Sequence, residues 1–199
     1  TQEMGARAAL DCLARTGVKP DEIDVLLSVS EEHKEYPLTT SGIYIQERIG
    51  ARRAWAIDLQ QRCNSTVAAL RFAKDLLVAE PDLKTVMIAG GYRNGDLIDY
   101  ADPTTSFMYD LAAGGGALLV RKGHSRNRIL GVEIATDGSM ARDVGVRYGG
   151  TELPIERLPD EVLEGLRKEG NKSLTVFRPE PMKERLNEIG FTKWFACLD

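Results

Sequence analysis

Apolar residues recur at helical spacing from the start of the chain. Met4, Ala8, Leu10 (with Ala9) and Leu13 recur in this way through residues 2–15, and Gly17 supplies a stop, so a first helix is predicted there. Pro20 and the polar run Asp21 to Asp24 make a turn, after which residues 25–29 form an apolar run of strand length. Residues 39–49, closed by Gly50, read as a second helix, and residues 54–59, with Trp55 and Ile57, as a second strand. A third helix is predicted over 63–80, stopped by Pro81, and a third strand over 85–89. This alternation predicts an α/β unit with right-handed crossovers.

The third helix confines Arg71, Lys74 and Asp75 to a narrow stripe, while Val67, Leu70, Phe72, Leu76 and Leu77 cover much of the rest. A helix with so little polar surface is expected to be buried on several sides, as a central helix between two sheets would be. Further on, residues 114–120 read as a strand after a glycine run and 129–135 as another, and Asp137-Gly138 marks a turn. The pattern then weakens to a charged amphipathic helix over 159–169, a strand over 174–177 and a last helix over 181–189, led by Pro179 and Glu180. The organisation expected is an N-terminal half over 1–123 and, over 124–199, a strand, a connecting segment and the start of a second half. No internal repeat or low-complexity tract is visible.

At 199 residues, 43% hydrophobic and 28% charged, the chain has the composition of an ordinary globular protein, not of a disordered or collagen-like one. Acidic side chains outnumber Lys plus Arg by 30 to 26, so no basic excess points to nucleic acid or an anionic membrane surface. No apolar run approaches the ~20 residues of a membrane helix. The first residue is Thr1, and no basic-then-apolar leader follows, so a cytoplasmic protein, processed or part of a longer chain, is expected. Three scattered cysteines, Cys12, Cys63 and Cys197, suit free thiols better than a disulfide framework. With only His33 and His124, no metal-ligand set is apparent and no metal or redox cofactor is expected.

The sharpest local signal is residues 56–66, a strand, a polar turn and then Cys63 at the expected start of a helix. Helix N-termini carry unpaired N–H groups and partial positive charge, which favour a thiolate and can hold an oxyanion when a thioester carbonyl is attacked. Cysteines are more often buried as small hydrophobes, the reading that fits Cys12 and Cys197. The polar neighbours Gln61, Arg62, Asn64 and Ser65 set Cys63 apart. The glycines at 90–91 lack the spacing of a dinucleotide fingerprint, and those at 114–116 precede a strand where a phosphate loop would open a helix. Close backbone packing explains the 114–116 run better. Glu31, Glu32 and His33 follow the first strand and could act as acid or base, although solvated charge clusters are commoner.

Taken in order, the Asp21 to Asp24 turn, Tyr36-Pro37, Ile49-Gly50-Ala51, Ile57-Asp58-Leu59, Cys63, Asp102-Pro103-Thr104, the 113–120 strand and Thr136-Asp137-Gly138-Ser139 resemble the ketoacyl synthase III family of the thiolase-like superfamily. The collinear match covers about 140 residues. It implies a thiolase-like layered αβαβα fold, of which this chain is expected to carry the first half, without its first strand, and the start of the second. It also implies a homodimer, with Cys63 as the acyl-accepting nucleophile and Tyr36 as the aromatic that caps the partner's acyl pocket. Asn64 and Ser65, where the family has small residues after the cysteine, join Tyr36 as candidate substrate-binding residues. The substrate implied is an acyl-CoA or acyl-carrier-protein thioester in fatty acid or polyketide biosynthesis. Family members also use a histidine and an asparagine from the second half, and no candidate for either follows Ile189. The aspartate-arginine pair that the family places after Asp102-Pro103-Thr104 is Thr105-Ser106 here, so recognition of coenzyme A through that arginine is not carried over.

The expected activity is therefore acyl loading on Cys63 and, in the intact enzyme, decarboxylative condensation with a malonyl thioester, the 199-residue chain alone being inactive. The alternatives are acyl transfer to an oxygen or nitrogen nucleophile, a hydroxymethylglutaryl-CoA synthase-like condensation with Glu31 or Glu32 as acid, and a non-catalytic truncated dimerisation partner.

Overall fold

The computed structural model describes residues 1–198, which form two compact units, 1–93 with 112–132, and 94–111 with 133–198. In the first unit three helices, α1 (Gln2–Thr16), α2 (Ser41–Ile49) and α3 (Ser65–Ala79), accompany four strands, β1 (Val25–Ser28), β2 (Trp55–Asp58), β3 (Thr85–Tyr92) and β4 (Gly114–Arg121). The strand order is β2-β1-β3-β4; the first three run parallel and β4 returns antiparallel to β3. Alternation along the strands sends Leu26, Met87 and Ala89 to one face, against α1 and α2, and Val25, Leu27, Val86 and Ile88 to the other, against α3. The result is a three-layer α/β/α unit with a core on each side of the sheet.

Glycine sets how closely α1 approaches the sheet. A Cβ on Gly115 would lie 2.5 Å from the Met4 carbonyl oxygen, and one on Gly91 would strike the carbonyl of Thr1. A Cβ on Gly90 would lie 2.8 Å from both the Ser30 nitrogen and the Val29 carbonyl carbon, so the same pair admits the chain leaving β1. Of the run 114–116, read from the sequence as close-packed, Gly115 has that role, whereas a Cβ on Gly114 or Gly116 would meet nothing within 4 Å. On the solvent side α1 is tied to α2 through Glu3, whose carboxyl is drawn down to about 2 by hydrogen bonds from Arg48, Arg7 and Tyr44.

Three expectations change. The third helix begins at Ser65, because Arg62 takes a left-handed φ of 51° and residues Arg62–Asn64 form a separate 3-10 turn. α3 buries one face, through Ala68, Ala69, Ala73 and Leu77, and leaves Val67, Phe72 and Val78 exposed. The burial expected on several sides is seen on one. Residues 129–135 make no ladder: the Leu130 and Val132 carbonyls accept hydrogen bonds from Lys74 and Arg71, the polar stripe of α3.

The second unit pairs β5 (Val144–Val146) antiparallel with β6 (Leu174–Val176) and carries α4 (Asp160–Glu169) and α5 (Pro179–Ala196). Buried Asp143 pairs with Arg178 at 2.6 Å, and Asp137 with Arg185 at 2.9 Å. Among the described residues no helix is long and apolar enough to cross a membrane.

The glycine contacts predict a contrast between neighbours. Gly115→Ala should lower stability by about 1–3 kcal/mol, because helix backbone must move. Gly116→Ala, whose Cβ would meet nothing within 4 Å, should stay within about 0.5 kcal/mol of the parent in urea unfolding. Equal shifts would show that α1 does not press on the sheet at this point.

Candidate active site

The ends of parallel strands gather the polar residues. β1 and β2 run in register, with Ser28 opposite Asp58, so the loops that leave their C-terminal ends begin side by side. In open α/β sheets this end is where ligands bind. The loop after β1 carries Glu31, Glu32 and Tyr36, and the turn after β2 carries Gln60, Gln61, Arg62 and Cys63.

The cysteine turn is held from within and from beside. Ser65, itself buried, accepts the Gln61 N–H at 2.7 Å and donates to the Arg62 carbonyl at 2.8 Å. The Gln60 side-chain amide donates to the Ser30 carbonyl, which ties the turn to the neighbouring loop. Arg62 reaches back across it, with Nη1 3.2 Å from Glu31 and Nη2 3.1 Å from Glu32. The Glu31 side chain is only 8% exposed, whereas that of Glu32 is 68% exposed, so one arm of this clamp answers a nearly buried charge and the other lies in water. Burial works against the Arg62 charge, yet Glu32 and Glu31 hold its pKa above the usual arginine value.

The Cys63 thiol is exposed, two positions before α3, with Asn64 as the N-cap residue. It stands just outside the first turn of α3, where the sequence had placed it. Asn64 makes no side-chain cap and its N–H donates to Gln61. Ser65 spends its hydroxyl on the turn. Tyr36 is 72% exposed, and its carbonyl accepts the Thr39 hydroxyl at 2.7 Å. Asp58 caps α2 from outside, taking the Ser41 and Gly42 N–H groups at 2.9 and 2.7 Å with Lys34 3.6 Å away.

Beside the turn an open groove of about 570 Å³ runs along the free edge of β2, lined by Trp55, Ile57, Leu59, Gln61, Phe72 and Leu76 among others. Trp55 and Ile57 share a face with Val25 and Leu27 but extend beyond α3, which leaves them half exposed. No group of three or more His, Cys, Asp or Glu side chains suited to a metal ion occurs among the described residues. The Arg62 link to Glu31 was not read from the sequence. Its signal is the register: Glu31 and Arg62 stand three and four residues beyond the partners Ser28 and Asp58.

Known proteins share this fold. A crystal structure of a 3-oxoacyl-(acyl-carrier-protein) synthase III superposes with a TM-score of 0.72 at 22% identity, covering 94% of this chain and 56% of that one. The fold is therefore the thiolase-like one, seen here over part of its length. Residues 57–138, which include Cys63, match the family model described as 3-Oxoacyl-[acyl-carrier-protein (ACP)] synthase III. The β-ketoacyl-[acyl-carrier-protein] synthase III of Syntrophomonas wolfei is 27% identical over 179 residues, 89% of this chain and 52% of that protein. The protein of the same name from Brucella canis is 31% identical over 143 residues, 70% of this chain and 43% of that protein. By sequence the chain is a relative of the 3-oxoacyl-[acyl-carrier-protein] synthase III family, and it spans about half the length of the curated relatives it matches.

A double-mutant cycle should separate the two arms of the clamp. Coupling between Arg62 and Glu31 in unfolding free energy should be about 1 kcal/mol, and between Arg62 and Glu32 below about 0.3 kcal/mol, because exposed pairs are screened. Equal couplings would mean that Glu31 is not held in the way its burial indicates.

Proposed function

We propose that this chain carries the acyl-loading part of a ketoacyl synthase III-type acyltransferase, with Cys63 as nucleophile. The observation that carries the reading is an exposed thiol on a braced turn at the C-terminal end of a parallel strand, inside the segment that matches the family model. In the reaction the Cys63 thiolate attacks the thioester carbonyl of an acyl-CoA or acyl-carrier-protein. A new carbon–sulfur bond forms, the tetrahedral oxyanion collapses, and the departing thiol takes a proton. Asn64 and Ser65 shape the turn beneath the acyl group, and Tyr36 is offered outward to a second copy. In the intact enzyme the acyl group then passes to the carbanion formed by decarboxylation of a malonyl thioester. Engagement of Glu31 by Arg62 speaks against Glu31 as the free acid of a hydroxymethylglutaryl-type condensation.

The second copy belongs to the same reading. β2 is an edge strand with exposed Trp55 and Ile57, and a second β2 across a two-fold axis would satisfy its open hydrogen-bonding groups and cover the groove beside it.

Intact-mass analysis after incubation with acetyl-, butyryl- and longer acyl-CoA thioesters tests the first step: one acyl group should be gained, and none by Cys63→Ser. No adduct across the panel, or one that survives the substitution, contradicts the proposal. In sedimentation the parent should dimerise, and Ile57→Lys should weaken association by about tenfold or more, roughly 1.4 kcal/mol. A monomeric parent rules out the edge pairing.

A further inference from the structure

The left-handed φ of 51° at Arg62 is a conformation that a side chain with a Cβ disfavours and that glycine or asparagine usually occupies. The strain falls on the residue before Cys63, and the surrounding turn is restrained on both sides of it. The Gln60 side chain donates to the Ser30 carbonyl, the Gln61 N–H donates to the Ser65 hydroxyl at 2.7 Å, and that hydroxyl donates to the Arg62 carbonyl at 2.8 Å. The Arg62 side chain then reaches the loop after β1, with Nη1 3.2 Å from the nearly buried Glu31 and Nη2 3.1 Å from Glu32. Glu31 is not free to follow it. The Glu31 N–H donates to the Gly91 carbonyl at 3.3 Å, and the Gly91 N–H donates to the Ser30 hydroxyl at 3.2 Å, so the carboxylate is anchored through β3.

A carboxylate with so little access to water is costly without its cation, so the pair resists separation and the turn is drawn to the strand end. Without that pull, right-handed geometry is the lower-energy choice for an arginine. The 3-10 turn Arg62–Asn64 would then run on into α3, which starts at the next residue, and Cys63 would turn with the helix. We propose that Arg62 is a positioning residue, whose ion pair with Glu31 maintains the left-handed backbone that presents the Cys63 thiol at the end of β2. Arg62 acts through the main chain and touches no reacting atom. Its role in acyl loading rests on the reading of Cys63 as nucleophile. Both partners lie within the first unit, so the device is internal to it.

Glycine separates the backbone from the side chain, because it adopts positive φ without the penalty. Arg62→Ala and Arg62→Gly both leave Glu31 unpaired, so a difference between them reads the main chain alone. These variants, Glu31→Gln, and Glu31→Gln with Arg62→Gly or with Arg62→Ala are compared where circular dichroism shows each folded, and the two double variants, which bury no unpaired carboxylate, repeat the comparison should a single one fail to fold. Two rates are read at Cys63: acylation by an acyl-CoA thioester, and alkylation by iodoacetamide, which needs no acyl site. Arg62→Ala should lower the limiting acylation rate by about tenfold or more while the half-saturating thioester concentration stays within about threefold, since reactive geometry is lost and binding is not. Arg62→Gly should stay within about threefold of the parent. Glu31→Gln should slow the reaction by about threefold or more beside Arg62 and have no further effect in the Arg62→Gly background. Alkylation should keep the same order. An arginine with a merely structural role would lower stability and leave the rates of the folded fraction alone. Equal rates in the parent and Arg62→Ala, an Arg62→Gly variant as slow as Arg62→Ala, or a Glu31→Gln effect that persists undiminished in the Arg62→Gly background overturns the proposal. If the parent takes no acyl group while the alkylation order holds, the positioning stands and the acyl-loading reading falls.

Discussion

Two adjacent glycines without side chains hold this unit together from the inside. Gly91 lets the start of α1 rest directly on β3, and Gly90 lets the chain leaving β1 cross at backbone distance. From that crossing the site follows. The Glu31 N–H donates to the Gly91 carbonyl and the Gly91 N–H donates to the Ser30 hydroxyl, which fixes where the Glu31 side chain emerges. Arg62 then finds Glu31, and the turn bearing Cys63 is drawn toward the end of β1. A methyl group at either glycine would displace the first link, and each later one depends on it.

The asymmetry of α3 gives the second theme. Its alanine face fits the tight space over β1 and β3, whereas Val67, Phe72 and Val78 stay exposed. Apolar side chains left outside are costly unless something covers them. The half-exposed Trp55 and Ile57 on the β2 edge share one groove with Phe72.

Much of this was legible in the sequence. Periodicity placed all three helices of the first unit and its four strands, because each has enough residues for a repeat to show. The resemblance correctly anticipated the thiolase-like fold. What escaped was local or non-local in ways that periodicity does not register. Left-handed Arg62 delays α3 by two residues, so Cys63 sits before the helix instead of within it. Residues 129–135 have the apolar composition of a strand but give their carbonyls to Arg71 and Lys74, a choice made by tertiary contact. β5 is only Val144–Val146, too short for any alternation to be seen. Glu31 could be named as a candidate, but its partner Arg62 comes from the turn after the neighbouring strand β2.

The central claim is that folding presents Cys63 at the surface on a braced turn while the other thiols are screened. Competitive alkylation with iodoacetamide, read by peptide mapping in buffer and in denaturant, tests it most directly. Cys63 should be modified first in the folded protein, ahead of half-buried Cys197 and well ahead of Cys12, whose thiol burial pushes up. In denaturant the three should react alike. If Cys63 is modified no faster than Cys12 in the folded state, the turn does not present its thiol, and the account of the site fails with it.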